Sequence, residues 1–423
     1  MGWEAIFSLS LVGGMLAVLA LGQARPEWLL PGTLAAMMAA GVLGPADALS
    51  GVVNPAVMTV GALFIVAGGL AATGLLAAAG NRLLGPARCE RAAMGRMAAT
   101  VLPASALLNN TPIVAMMIPV VGNWCRLRGI RPARLMIPLS YLAILGGTCT
   151  LIGTSTNLIV HGMMVEAGLE GIGMFEISRV GLPLALAGVL FLMLAAGRLL
   201  PDRSGPAEKT DTAVPSDNRA EPSNSGADPR CWAAVGVIVL LVGLLVTRPI
   251  RVETAALLAA GLMILLGCIG PIAAVGAVQW RVLITIAAAF GLGKALVVSG
   301  AAPWMVESAL ETVGPWGPLA VLAGLYLATW ALTEIITNNA AAALMFPFAL
   351  EAANLLGVDA RPFMLTLAVA ASASFTTPIG YQTNMMVFSP GGYRFGDYLR
   401  VGLPLNLVLW VLAVTLIPRA WPF

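Results

Sequence analysis

Apolar runs broken by short polar intervals occupy nearly the whole chain. Runs near residues 3–22, 28–45 and 56–79 each hold about the 20 apolar residues that a bilayer-crossing helix requires. From Asn81 to Arg96 the pattern becomes a short amphipathic piece punctuated by Arg82, Arg88, Arg91 and Arg96. Two apolar arms follow, one from about 97 and one from Pro112 to about Trp124, before a basic loop with Arg126, Arg128, Arg131 and Arg134. Between the arms stands Asn109-Asn110-Thr111, three polar side chains in an otherwise greasy setting. An arm of roughly 12 residues makes about 18 Å of helix, enough to reach the bilayer midplane and no further. Pro112 pushes the residue before it away from helical conformation. The spacing therefore predicts a re-entrant hairpin with its tip at 109–111, not one continuous helix.

The next apolar stretch, 138–164, is interrupted by Gly146-Gly147-Thr148 and Gly153-Thr154-Ser155-Thr156-Asn157. Glycines and hydroxyls at mid-membrane predict a helix broken around an unwound centre, which is tolerated only where it lines a cavity or is buried in protein. A helix near 179–200 ends a first unit, 1–200. Residues 201–230 are rich in Pro, Ser, Asp, Glu and Asn and cannot bury enough surface to fold, so they read as a disordered linker. The second unit, 231–423, repeats the first at an offset of about 227 residues. Helices near 231–247, 252–270 and 282–300 lead to a second tip, Thr337-Asn338-Asn339, and a second broken helix over 362–388. In both units the shared Asn (Asn110, Asn338) precedes the shared Pro (Pro119, Pro347) by nine residues. Leu151-Ile152-Gly153…Thr156-Asn157 likewise matches Pro378-Ile379-Gly380…Thr383-Asn384.

Charge gives the duplication a direction. Eight arginines flank the first hairpin, whereas residues 301–360 contain no Lys or Arg. Positive residues stay on the cytoplasmic side, so the first hairpin enters from inside, the linker is cytoplasmic, and the second hairpin's ends and the N-terminus lie outside. Arg248 and Arg251, in a short loop that this count places outside, dissent. The two units are then inverted repeats.

Composition narrows the chemistry. The 423 residues are 59% hydrophobic and 10% charged, far below the roughly one-quarter charged content of soluble domains, so the chain reads as an all-α polytopic membrane protein. Glu4 is the only charge before Arg25, so residues 5–22 read as a first membrane helix and not a cleaved signal. A net charge of +3 does not suggest nucleic acid. Five scattered cysteines and a single His161 predict neither disulfides nor a metal cofactor, and no nucleophile–base pair supports an intramembrane enzyme. Inverted repeats, discontinuous helices and polar tips at the midplane point to a secondary transporter. Helix N-termini suit an anion, while exposed carbonyls, hydroxyls and Asn oxygens suit a small hard cation. Lys294 and Glu334, charged residues in apolar segments, are read as paired with each other or as coupling charges.

The paired tips resemble those of the divalent anion:sodium symporters, carriers of dicarboxylates, citrate or sulfate, whose hallmark is Ser-Asn-Thr in each hairpin followed by an apolar run and Pro. Here the motif stands as Asn109-Asn110-Thr111 and Thr337-Asn338-Asn339, with Ser105 and Thr333 four residues earlier. Asn replaces the motif's Ser at position 109 and its Thr at position 339, which leaves the cargo open between dicarboxylate and sulfate. The resemblance implies a homodimer in the bacterial inner membrane, with a scaffold and a moving transport domain in each protomer. It implies one sodium near Ser105, Asn109, Asn110 and Gly153 and another near Thr333, Thr337, Asn338 and Gly380. It implies an anion between the tips at Asn110, Thr111, Asn338 and Asn339, with Thr154 nearby. Sodium coupling is the leading expectation; an uncoupled or proton-coupled exchanger on the same fold is the alternative.

Overall fold

The computed structural model describes residues 2–75, 82, 87, 89–200 and 229–423. Most of the linker, 201–228, lies outside these residues, as do 76–79 of the third predicted run and Arg88. Helices α1 (Trp3–Ala20), α2 (Pro26–Ala39), α3 (Pro45–Ala48) and α4 (Pro55–Ala72) open the chain. The first hairpin follows as α5 (Glu90–Leu107) and α6 (Asn110–Arg128), and the first broken helix as α7 (Met136–Gly147) and α8 (Ser155–Glu166). Helix α9 (Ser178–Leu199) ends this half. The second half comprises α10 (Pro229–Thr247), α11 (Val252–Leu265), α12 (Pro271–Ala277), α13 (Trp280–Val298) and α14 (Ala301–Val313). Its hairpin is α15 (Pro318–Thr333) and α16 (Asn338–Leu356), its broken helix α17 (Arg361–Ser372) and α18 (Gln382–Phe388), and α19 (Phe395–Ala420) closes the chain. Among the described residues, seven helices are long and apolar enough to cross a membrane.

Both hairpins break where the polar tips stand. Leu108 (φ −137°, ψ 154°) and Asn109 (φ −60°, ψ 141°) are extended, and α6 starts at Asn110. Pro112 thus falls in the first turn of α6, where its missing N–H costs nothing. The arms are longer than the pattern predicted. Helix α5 begins at Glu90, so Arg91 and Arg96 lie within it. Helix α6 runs through Pro119 to a stop at Gly129, whose φ of +64° ends the helix. Arg126 and Arg128 therefore belong to its last turn, where they complement the carbonyl end of the helix dipole, and not to a loop. The expected helix over 252–270 stops at Leu265, because Gly267 turns the chain at φ +70° before α12.

The broken helices form the centre. Every residue of α7 is buried, and so is every residue of α17 after Arg361. A helix apolar on all sides must be wrapped by others. Helix α7 is enclosed by α5, α6, α9 and α18, and α17 by α15, α16, α19 and α8. Helix α2 packs on α13, and α4, α10 and α11 pack on one another; α13 lies against α16 of the second hairpin, and α4 against α8 and α6.

The same hydrogen bonds recur in each half. Ser105 Oγ donates to Ala143 O at 2.6 Å, and Thr333 Oγ1 to Ala371 O at 2.8 Å. Asn157 Nδ2 donates to Thr150 O at 2.8 Å, and Asn384 Nδ2 to Thr377 O at 3.1 Å. Thr150 Oγ1 donates to Ala106 O, as Thr377 Oγ1 does to Glu334 O at 3.3 Å. Repeated motifs thus carry repeated contacts: a hydroxyl on each hairpin holds its own broken helix, and an Asn ties that helix's two pieces together.

Candidate functional site

Each tip reaches the broken helix of the other half. From the first, Thr111 Oγ1 donates to Gln382 Oε1 at 3.0 Å. The Asn110 carboxamide has one orientation that satisfies both ends. Its nitrogen then donates to Ser105 Oγ, Ala143 O (3.1 Å) and Gly153 O (3.2 Å), and its oxygen accepts from the Tyr381 hydroxyl at 2.6 Å. From the second tip, Asn339 Oδ1 accepts from Ser155 Oγ at 2.9 Å and Thr156 Oγ1 at 3.3 Å. Thr154, which precedes α8, meets the Tyr381 hydroxyl at 3.3 Å.

Close approach of each broken helix to its own hairpin requires glycine. A Cβ on Gly153 would lie 2.6 Å from Gly147 O and 2.8 Å from Ser105 O, and one on Gly380 would lie 3.0 Å from Thr333 O. The unwound backbone thereby sits directly against each hairpin. Asn110 is fully buried, and Asn338 and Asn339 are each 8% exposed. Such groups need partners, yet the Asn338 side-chain nitrogen has none among the described residues. It is a buried donor at the head of α16.

Of the residues singled out from the sequence, Ser105, Asn110 and Gly153 converge on one cluster of oxygens, joined by Ala143 O. Thr333 and Gly380 converge on the equivalent place in the second half. Thr337 caps α16, accepting from Ala340 N at 3.4 Å, and Asn109 precedes α6 without a side-chain cap. Thr111, Thr154 and Asn339 all take part in the crossing contacts. Tyr381, Gln382, Ser155 and Thr156 were missed as site residues. The signal was available for Tyr381, since the offset of 227 aligns it with Thr154.

The expected pairing of Lys294 with Glu334 does not form. Lys294 Nζ meets Asp47 Oδ1 at 3.0 Å, because the α2–α4 connection packs along α13. Glu334 instead accepts from Thr376 N and Thr377 N, each at 2.8 Å, and from Trp330 Nε1 at 3.2 Å. Its carboxylate holds open the unwound backbone after α17, satisfying N–H groups that a continuous helix would have used.

Comparison with known proteins agrees with this arrangement. Residues 15–370 match the sequence family described as citrate transporter. An uncharacterized transporter of Synechocystis sp. is 27% identical over 590 aligned positions, covering 96% of each chain. That alignment is longer than the 423 residues here, so the relative has segments that this chain lacks. Sodium/sulfate cotransporter 1 of Chlamydomonas reinhardtii is 37% identical over 213 residues, 48% of this chain and 24% of that protein. The crystal structure of the Alcanivorax borkumensis YdaH transporter shares the fold, with a TM-score of 0.62 at 14% identity over 89% of this chain and 88% of that one. Polar tips crossed over broken helices in an apolar helical frame, together with a family match over most of its length, make this chain a membrane transporter, not an enzyme, and a member of the citrate transporter family.

Proposed function

We propose that the protein carries a small divalent anion, sulfate or a dicarboxylate, into the cell in symport with sodium. The observation that carries the reading is the unpartnered, buried Asn338 amide nitrogen beside the crossed tips. A donor held without an acceptor in a low-dielectric interior costs about 1–3 kcal/mol, and an oxyanion between the tips removes that cost. The N-termini of α6 and α16 add N–H groups and a positive dipole end there.

Sodium fits the donor set. Ser105 Oγ, Ala143 O, Gly153 O and the Asn110 side-chain oxygen are neutral oxygens from the first hairpin and the first broken helix, the ligand type a hard monovalent cation accepts. Turning the Asn110 oxygen toward that cluster, which its amide rotor permits, exchanges a self-satisfied amide for a cation ligand and reverses the Tyr381 contact, with Asn110 Nδ2 then donating to the Tyr381 hydroxyl at 2.6 Å. Thr333, Thr337, Asn338 and Gly380 offer the corresponding place in the second half. The sodium/sulfate cotransporter relative supports the choice of ion.

We read the hairpins and broken helices, which wrap one another, as a transport domain that slides against the outer helices in an elevator motion, within a homodimer of inverted repeats in a bacterial inner membrane. The purified protein in liposomes should accumulate labelled sulfate or succinate when sodium is higher outside. Asn338→Ala should lower that uptake by about ten-fold or more, the equivalent of one buried hydrogen bond. No accumulation of either anion under a sodium gradient sinks the reading.

A further inference from the structure

The two halves differ at a point where they meet. Thr154 stands immediately before α8 and Tyr381 immediately before α18, at equivalent positions of the duplication. Their hydroxyls touch at 3.3 Å. Where the first half presents a short hydroxyl, the second presents a phenol long enough to cross to Asn110 at 2.6 Å. With these contacts the space between the tips is bridged by an unbroken chain of polar atoms. It runs from Asn110 to Tyr381 at 2.6 Å and on to Thr154 at 3.3 Å. From there it continues to Thr156 at 3.5 Å and to Asn339 at 3.3 Å. The Tyr381 ring is 8% exposed, so it is packed in place and does not hang into an open vestibule.

This arrangement constrains the cargo by size. An extended dianion, with carboxylates several bonds apart, engages both tips only by lying along the line that Tyr381 occupies. A compact tetrahedral oxyanion needs no such span. When Asn110 turns its oxygen to the cation cluster and its nitrogen donates to the Tyr381 hydroxyl, that hydroxyl is free to donate to such an anion, and the second tip adds the unpartnered Asn338 amide nitrogen. We propose that Tyr381 is the residue that sets specificity, its ring excluding extended dicarboxylates and tricarboxylates and its hydroxyl binding a compact divalent oxyanion of the sulfate type. The inference rests on the anion-transport reading above and adds the cargo's shape to it. A polar site discriminates strongly where an unwanted ligand leaves its donors unpaired, and a steric element set against the competitor adds to that.

The test is sodium-driven uptake of labelled sulfate and labelled succinate into liposomes containing the full-length protein, with succinate and citrate also used as competitors. Wild-type protein should take up sulfate, and a ten-fold or so excess of succinate should leave that uptake nearly unchanged. Tyr381→Thr, which copies the first half, should let succinate compete and be transported, lowering the sulfate-to-succinate preference by about ten-fold or more. Tyr381→Phe keeps the ring. It should still exclude succinate while raising the KM for sulfate by about three- to ten-fold through the lost donor. Wild-type uptake of succinate as efficient as that of sulfate overturns the proposal while leaving anion symport intact, and needs no variant to fold. An unchanged preference in a correctly folded Tyr381→Thr protein overturns it as well. Wild-type protein that accumulates neither anion removes the transport reading itself.

Discussion

At the scale of single residues, one charged pair ties the first half to the second. Arg361 Nε and Nη2 each donate to the Glu176 carboxylate at 2.7 Å, a two-pronged pair at side-chain exposures of only 19% and 15%. Gly173 N at 2.8 Å and Trp421 Nε1 at 3.1 Å complete the shell. Burial pushes the Glu176 carboxyl up, but the Gly173 N–H, the Arg361 guanidinium and the Trp421 indole together hold it below the ordinary carboxylate range. A depressed pKa in the folded state means that this stabilisation is complete above about pH 4.3 and fades as pH falls through the lower, folded value. Purified protein should therefore lose thermal stability on acidification below that range. Glu176→Gln should melt lower than wild type at neutral pH, with the two curves converging in acid. Identical melting curves at neutral pH would show that the pair contributes nothing.

At the scale of elements, the hairpins depend on how closely each lies against its broken helix. Gly153→Ala places a Cβ against two backbone oxygens, at 2.6 and 2.8 Å, which no side-chain rotation relieves. Overpacking of this kind costs about 1–3 kcal/mol and pushes the Ser105–Asn110 arm away from the unwound segment. The variant should show a lowered melting temperature and impaired uptake. Gly95→Ala is the control. It lies in α5, where a Cβ meets nothing nearer than Met193 Cε at 3.9 Å, and the change should be neutral or mildly stabilising. Equal behaviour of the two variants in a thermal-shift series would refute the packing argument. The tips and breaks were legible in the sequence because polar residues in an apolar run admit few placements. The arm lengths were not, because an arginine on the outer face of a helix end resembles an arginine in a loop.

At the scale of the whole molecule, the distribution of arginine predicts the orientation. The ends of α5 and α6 are rich in arginine, while residues 301–360 contain no Lys or Arg, so the two hairpins should open to opposite sides of the membrane. Leu127 and Trp316 lie near the outer ends of the two hairpins and are 75% and 81% exposed. After replacement of the exposed Cys89 by Ser, Leu127→Cys should react with an impermeant maleimide only from the cytoplasmic side, and Trp316→Cys only from the outside. Labelling of both from one side would reject the inverted arrangement and the elevator motion built on it.

Some features of this protein are local, and the sequence alone determined them. Apolar run length set the helices, the paired Asn tips and glycine breaks set the hairpins and discontinuities, and the duplication showed that each motif would be built twice. Partnership was decided only by the tertiary structure. Lys294 chose Asp47, Glu334 chose the backbone of Thr376 and Thr377, and Tyr381 reached Asn110 across the two halves. The reason is physical. A side chain's type and local periodicity report whether it must be buried or capped, but which distant group satisfies it depends on how helices 200 or more residues apart in the chain, such as those bearing Asn110 and Tyr381, are packed together.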